Sequence, residues 1–352
     1  MATTDIHARS EFRFAIAEES TFGTAITTQS NFKELMITDV PQIEYGGIIR
    51  DEAKKSDGKR VLSHTDVFLQ TAGGEYTVAV SGILTEDTVD LLVYGVMQDI
   101  VSETDELTYA RVFEWDGSTT GVDSNGLPNK FYTLNGYNPA TDESWQLKSA
   151  VIKTLSINGD PGSNGGRLSF SATFYSGYAP TQTGLTVTPS SWTAAYDSSN
   201  SDFFIFQKAA TKTIGGTAVV LNSFSLNWEN NAKRIGHDSS GNPEYYAYAG
   251  GGNDFVFTGE LSAKYDANSK DEIATFLTDP SAGSAEKQII LDWGSASSDG
   301  YLKFDCNAIY TGNSLDFGGD AVMVNLPFQG VDDGTNEAIE VSIENSVNRA
   351  WI

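Results

Sequence analysis

The sequence predicts a mainly β protein, with two tandem domains of the β-sandwich or barrel type and a short α-helix flanking each. Long runs alternate between apolar and polar residues and are rich in Val, Ile, Phe, Tyr and Thr, a pattern typical of half-buried strands. Clusters of Gly, Asn, Asp and Ser separate the runs and indicate turns. The order of runs and helix also occurs twice, which indicates an internal repeat.

The first strongly alternating strand covers residues 76–84, where the large side chains of Tyr76, Val78 and Val80 share one face. Successive side chains of a strand point to opposite faces, so we expect one face of each such run to be buried. The same pattern occurs at residues 150–157, 166–175, 221–228, 255–263 and 321–328.

Two segments have the pattern of a helix, and each follows an alternating strand. Residues 86–98 place Val89, Leu92 and Val93 on one stripe, with acidic residues in the opening turn. Residues 268–277 carry a shorter apolar stripe, and Asp266 is in position to cap the helix N-terminus. We therefore predict one helix packed against each sandwich.

The repeat sets the predicted domain boundaries. Each copy closes with a strand framed by glycines, Gly166 and Gly177 in the first and Gly319 and Gly330 in the second. A polar stretch rich in Thr, Ser, Gly and Asn separates the copies. The predicted division is an N-terminal arm at residues 1–31, a first domain at 32–180 with an insertion at about 101–130, a linker at 181–212, and a second domain at 213–352.

The charge balance is strongly acidic. The chain has 22 Lys and Arg against 47 Asp and Glu, for a net charge of −25. Such a surface repels phosphates and anionic membranes, which disfavours a nucleic-acid or membrane binder. The first residues lack the basic and apolar segments of a signal peptide, and no apolar run reaches the roughly 18 residues of a membrane span. We therefore expect synthesis and assembly in a cytoplasm.

The residues that carry catalysis are scarce, so the sequence predicts neither an enzyme nor a cofactor or metal site. The three histidines, His7, His64 and His237, lie far apart in the chain and form no metal-ligating pair. No nucleophile elbow or phosphate-binding loop is present. We expect the single cysteine, Cys306, to be a small buried residue of a strand rather than a nucleophile. The scattered aromatic residues predict core and interface packing.

Two charged, turn-rich excursions precede the alternating strands at residues 76–84 and 255–263. They hold a large share of the basic residues of this acidic chain: Arg50, Asp51, Glu52, Lys54, Lys55, Lys59 and Arg60 in the first, Lys233 and Arg234 in the second. One interpretation is a pair of solvated loops. The other is a pair of basic arms that dock on the acidic surface of another copy.

Residues 17–25, Ala-Glu-Glu-Ser-Thr-Phe-Gly-Thr-Ala, resemble the opening of phage tail tube proteins, also called major tail proteins. Residues 254–277 are similar to the strand-then-helix unit of that family, and residues 147–159 to its stretch of small and β-branched residues. Residues 233–246 resemble its loop before a strand. These segments span nearly the whole chain in the family's order, so the chain is identified as resembling a duplicated-domain tail tube protein.

This resemblance implies two tail-tube-like sandwich domains in a structural subunit of the virion. In the family, sheets of neighbouring subunits join into a barrel that lines a ring, and stacked rings form the channel for DNA delivery. The resemblance therefore makes the charged residues of the two excursions candidates for ring-to-ring contact. A duplicated chain predicts a pseudo-six-fold ring of three copies, while a true hexamer stays open. Expected partners are further copies, tape measure, tail terminator and distal tail proteins, and passing genomic DNA that is not bound specifically. Assembly is expected in the host cytoplasm.

The alternative is a β-sandwich module for carbohydrate binding or adhesion. That class predicts secretion, a clustered aromatic platform or a calcium site, and stable monomers. The missing signal peptide and the repeated pattern favour the tube subunit.

Overall fold

A computed structural model describes most of the chain: residues 12–43, 48–50, 67–69, 75–105, 109–115, 129–139, 143–182, 184–195, 203–239, 243–247, 255–270, 272, 286–296, 300–319 and 321–347. The first half contains β1 (Arg13–Glu18), β2 (Lys33–Glu34), β3 (Gln42–Ile43), β4 (Ile48–Arg50), β5 (Val67–Leu69), β6 (Tyr76–Ile83), α1 (Glu86–Met97), β7 (Ser102–Asp105), β8 (Tyr109–Glu114), β9 (Tyr132–Asn138), β10 (Glu143–Gly159) and β11 (Ser169–Ser176). The second half contains β12 (Thr211–Ile214), β13 (Thr217–Ala218), β14 (Leu221–Glu229), β15 (Lys233–His237), β16 (Pro243–Ala247), β17 (Val256–Lys264), β18 (Lys287–Trp293), β19 (Tyr301–Tyr310), β20 (Ser314–Asp316), β21 (Met323–Gly330) and β22 (Glu340–Asn345). The predicted mainly β fold is confirmed.

One antiparallel sheet runs through both halves and is called the long sheet below. Its strands follow the order β3–β6–β11–β10–β14–β17–β21, and β21 then pairs with the end of β19 and with β20. Only the second part of β10, from Val151 onward, belongs to this sheet. The two halves of the chain therefore share one continuous hydrogen-bonded layer.

A second layer of strands covers one face of the long sheet. In the first half it has the order β2–β1–β9–β10, and in the second half β13–β12–β18–β19–β22–β8–β7. The strands β10 and β19 take part in both layers. In β10 the crossing coincides with a register shift between Leu147 and Ala150, where Ser149 has a φ of +49°. A bulge of this kind bends a strand from one sheet into the other.

The strand order of the first half is repeated in the second. The first half reads β2–β1–β9–β10–β11–β6–β3, and the second reads β13–β12–β18–β19–β21–β17–β14. A separate two-stranded hairpin also lies between corresponding strands, β4–β5 in the first half and β15–β16 in the second. The domain boundaries stay a prediction; β1 lies within the predicted N-terminal arm and β12 reaches into the predicted linker.

The hydrophobic core fills the space between the layers and beneath α1. The predicted first helix is confirmed as Glu86–Met97, and Gln98 ends it in the left-handed conformation. Its residues are buried almost throughout, because it packs against β10, β22, β8 and β14. Of the predicted second helix, Lys270 and Glu272 are helical and residues 273–277 lie outside the described ones. The Asp266 carboxylate accepts a hydrogen bond from the Asn268 N–H at 2.9 Å, as the predicted cap requires.

The predicted insertion contains a hairpin that the sequence did not indicate. Its strands, β7 and β8, pair with each other, and β8 pairs with β22 of the second half. We call β7 and β8 together the clasp. Residues 116–128 of the insertion lie outside the described ones. Among the helical segments that the structure describes, we find none with both the length and the apolar character needed to cross a membrane.

Candidate assembly surface

The face of the long sheet that points away from the second layer is called the open face. Alternation along each strand puts polar side chains on it, and all of them are half-buried or exposed. Its neutral members are Ser81, Thr154, Ser156, Asn158, Ser169, Ser171, Thr173, Ser223, Ser225, Asn227, Thr258, Ser262, Asn325 and Gln329. The open face is therefore mainly a layer of hydroxyl and amide groups, with the apolar Ala79, Val256, Met323 and Pro327 among them.

These groups hydrogen-bond to one another across the strands. The Ser156 hydroxyl donates to Asn227 Oδ1 at 2.6 Å, across the pairing of β10 with β14. The Ser81 hydroxyl donates to the Ser171 hydroxyl at 3.2 Å, across the pairing of β6 with β11. Charged groups on the described open face include Glu229, Glu260, Lys264 and Asp316, together with Lys153, whose Nζ lies 5.8 Å from the Tyr175 ring. This surface carries little of the acidic excess of the chain.

The two halves meet in the long sheet at the pairing of β10 with β14, called the internal seam below. The register runs from Thr154 opposite Glu229 to Gly159 opposite Phe224. On the core side, Leu155 lies opposite Trp228 and Ile157 lies opposite Leu226. All four side chains are at most 1% exposed. The seam is thus held together by backbone pairing within the sheet and by apolar side-chain packing on the core side of the sheet.

The clasp closes the same junction in the second layer through a buried arginine. The fully buried Arg111 of β8 donates from Nη1 to Asp90 Oδ2 of α1 at 3.2 Å and to Asn345 Oδ1 of β22 at 3.0 Å. Its Nε donates to Glu103 Oε1 at 3.0 Å. A buried charge is tolerated when it is paired and fully hydrogen-bonded, as here. Arg111 therefore ties the clasp, the helix and the second half together.

Two further contacts reinforce the internal seam. The ring of Trp115, directly after the clasp, stacks on Phe255 of the second half with centroids 3.9 Å apart. The buried Asn230 follows β14, and its Nδ2 donates to the carbonyl of Val96 in α1 at 3.1 Å and to that of Ile152 in β10 at 2.5 Å. Both contacts join residues of the first half to residues of the second.

The outer edges of the long sheet are different. At one edge, Met36–Thr38 and β3 run along β6, and Ile37, Val40 and Ile43 are half-buried. At the other, Leu315 of β20 is 37% exposed and the adjacent Phe317 is 71% exposed. Among the described residues, no strand pairs with the outer side of either edge. Both edges therefore carry apolar side chains beside backbone groups that no described strand pairs.

The segment that resembles the family's opening is anchored at the bulge of β10. The Glu19 carboxylate is buried and accepts hydrogen bonds from the Ser149 N–H at 2.7 Å, the Ser149 hydroxyl at 2.8 Å and the Thr133 hydroxyl at 2.6 Å. Burial raises the pKa of Glu19 above its ordinary value, although these hydrogen bonds oppose the shift. Gly23, with a φ of +83°, donates its N–H to the same Ser149 hydroxyl at 2.7 Å.

Three of the nine predicted contact residues lie on the strands of the two hairpins. Arg50 ends β4, while Asp51, Glu52, Lys54, Lys55, Lys59 and Arg60 lie outside the described residues. On β15, Lys233 is exposed and Arg234 is half-buried. The Arg234 N–H donates to the Tyr175 hydroxyl at 3.1 Å, and burial raises the pKa of Tyr175 to about 12. A role in ring-to-ring contact stays a prediction for all of these residues.

The remaining sequence predictions concern single side chains. Cys306 is fully buried in β19, as predicted, and burial raises the pKa of its thiol. The tryptophans that the structure describes are buried, which confirms their packing role: Trp115, Trp145, Trp192, Trp228 and Trp293. Within the described part of the chain, no three His, Cys, Asp or Glu side chains come together as a metal-ligand group.

The described residues thus form a two-layer antiparallel β fold with a polar open face and with sheet edges that no described strand pairs. A family model described as phage tail tube protein matches residues 12–330, nearly the whole chain. The chain therefore belongs to the phage tail tube protein family, and it is a structural protein of the virion tail. No curated protein matches the chain in sequence.

Proposed function

We propose that three copies of this chain close a pseudo-six-fold ring and that stacked rings form the channel for DNA delivery. The observation that carries the proposal is the internal seam. It joins two halves of matching strand order edge to edge, so the chain contains one example of the contact that a ring must repeat. A head-to-tail contact of this kind gives a closed ring when the rotation per subunit divides the circle.

In this ring the open face of the long sheet lines the channel. Hydroxyl and amide groups that hydrogen-bond to their neighbours offer DNA few cationic groups to bind, since the lysines Lys153 and Lys264 share this face with the acids Glu229, Glu260 and Asp316. Phosphates are therefore neither captured nor strongly repelled at the wall, which suits a duplex that must pass without specific binding.

The hairpins supply the proposed contacts between rings. Arg50, Lys233 and Arg234 lie in them, and residues 51–60 follow Arg50 in the sequence but lie outside the described part of the chain. Basic arms on an acidic chain would dock on the next ring by charge complementarity. Tape measure, tail terminator and distal tail proteins are the proposed partners at the centre and ends of the tube, after assembly in the host cytoplasm.

Electron microscopy of the purified full-length chain tests the ring. Two-dimensional class averages should show stacked rings, and native mass spectrometry of single rings should give three chains. Six chains per ring would replace the trimer by the hexamer. Monomers that bind a glycan array instead would favour the carbohydrate-binding or adhesion module.

A deletion of residues 51–59 tests the stacking arms separately. We expect a folded chain that still closes rings but no longer forms tubes, measured by the same microscopy. Tubes of normal length from this variant would remove the first hairpin from the stacking contact.

A further inference from the structure

Phe317, the most exposed large apolar side chain among the described residues, lies beside β20 at the second-half edge of the long sheet. Phe317 is 71% exposed and Leu315 is 37% exposed. Leu315 lies directly opposite Val324 of β21, which is fully buried, so it stands on the core side of the sheet. A core-side leucine with this exposure marks a place where the core of the sandwich is left open.

The internal seam shows how the same position is covered inside the chain. In the matching strand order, the end of β19 with β20 corresponds to the second part of β10, because each pairs with the strand next to it, β21 or β11. On β10 the core-side residues Leu155 and Ile157 are 1% and 0% exposed. They are buried because β14 lies beside them, and β20 has no such neighbour among the described residues.

The first half carries the counterpart of β14. Residues 36–43 lie against β6 as β14 lies against β17: the Thr38 N–H donates to the Ser81 carbonyl at 2.9 Å, and Gln42 lies opposite Ala79. Ile37, Val40 and Ile43 supply half-buried apolar groups along this edge. Pro41 interrupts its hydrogen-bonding row, which limits pairing with unrelated strands.

We propose that residues 36–43 of a second copy of this chain cover Leu315 and Phe317. The inference rests on the proposed ring and names its contact. Each copy uses a different edge on each side, so the interface is head-to-tail and every copy is both donor and acceptor. Phe317 is the aromatic anchor of the contact, a role that aromatic side chains fill when a neighbour desolvates them.

Charge introduced at the anchor tests the contact. Phe317→Asp in the full-length chain should remain folded with an unchanged melting temperature, because the side chain is exposed in the monomer. Self-association should weaken by about 30-fold or more, as for an anchor residue of an interface, measured by analytical ultracentrifugation. Val101→Asp is the matched control, since Val101 is 52% exposed but lies beside the clasp, and it should form rings as the unchanged chain does.

A mixing experiment tests the head-to-tail geometry. Val40→Asp blocks the opposite edge, so Val40→Asp and Phe317→Asp chains should each stay monomeric. Mixed together, they retain one intact edge each and should form a dimer that cannot grow. Rings from Phe317→Asp alone, or rings that form but fail to stack, would overturn the proposal while leaving the tube function intact. Absence of rings from the unchanged chain would instead defeat the proposed function.

Discussion

The internal seam and the β20 edge use corresponding strands of the same sheet, yet their surroundings differ completely. At the seam, β10 is paired, its core-side leucine is buried under Trp228, and the clasp closes the layer behind it. At the edge, Leu315 and Phe317 face outward. Apolar core-side residues occupy both places, so the exposure of these side chains is set by whether a strand lies beside them and not by the residue type.

Removing the buried cation of the clasp should have the largest effect on folding stability, because the clasp closes the layer behind the internal seam. Arg111→Met leaves Asp90 and Glu103 without their shared cation in a buried site, and we expect about 3–5 kcal/mol of lost folding stability. Chemical denaturation of the monomer measures it. The double variant Arg111→Met with Asp90→Asn removes one of the two stranded charges and should recover part of the loss; no recovery would mean that the Arg111–Asp90 ion pair is not the source.

A matched pair of leucines tests the comparison directly. Leu155→Ala removes a buried side chain and should cost about 2–5 kcal/mol of monomer stability. Leu315→Ala should cost less than about 1 kcal/mol, because over a third of that side chain is already in water. In the proposed ring Leu315 lies in the contact between copies, so Leu315→Ala should weaken assembly although it changes the stability of the monomer little. Equal unfolding midpoints for the two variants would contradict the difference in burial.

The amide that ties the seam to the helix should have a smaller effect. Asn230→Ala leaves the carbonyls of Val96 and Ile152 without this donor, and we expect a loss of about 1–3 kcal/mol. Asn222→Ala serves as the control, because Asn222 is an exposed asparagine of β14, the strand that Asn230 follows. Thermal unfolding of both variants should separate them by several degrees.

The smallest effect concerns pH. The pKa of Glu19 is raised in the folded chain, so the folded state holds this proton more tightly than the unfolded state. The contribution of Glu19 therefore falls as pH rises from the ordinary value through the raised one, and it is unfavourable at neutral pH. Glu19→Gln should flatten this part of the stability profile, measured as unfolding midpoints from pH 4 to 8. An unchanged slope would show that another group is responsible.

The local sequence patterns predicted those strands and the helix that bury one apolar face. Alternation identified β6, β11, β14, β17 and β21, and the apolar stripe identified α1, because each buries one face against the core. The clasp was missed because its short strands adjoin a stretch of turn-forming residues. Arg111 shares a face with Phe113, and Asp90 interrupts an apolar helix. Opposite charges on two otherwise apolar faces were the signal that could have revealed their pairing.

The seam and the sheet edges could not be read from the sequence. The pairing of β10 with β14 joins residues about seventy positions apart, and no local pattern specifies which edges meet. The resemblance to tail tube proteins supplied the family and the expectation of ring formation, and the family match confirms the former. Residue-level contacts of the basic excursions remain predictions, because most of those residues lie outside the described part of the chain.

The clasp also constrains how the chain could be divided. A cut between residues 195 and 203 would leave Arg111 and Asp90 on one fragment and Asn345 on the other, and it would strip β22 of its neighbour β8. Each fragment would then expose polar groups that are buried against the other half in the intact chain. The two halves thus share a strand order but carry different contact residues at this junction, so one half cannot substitute for the other there.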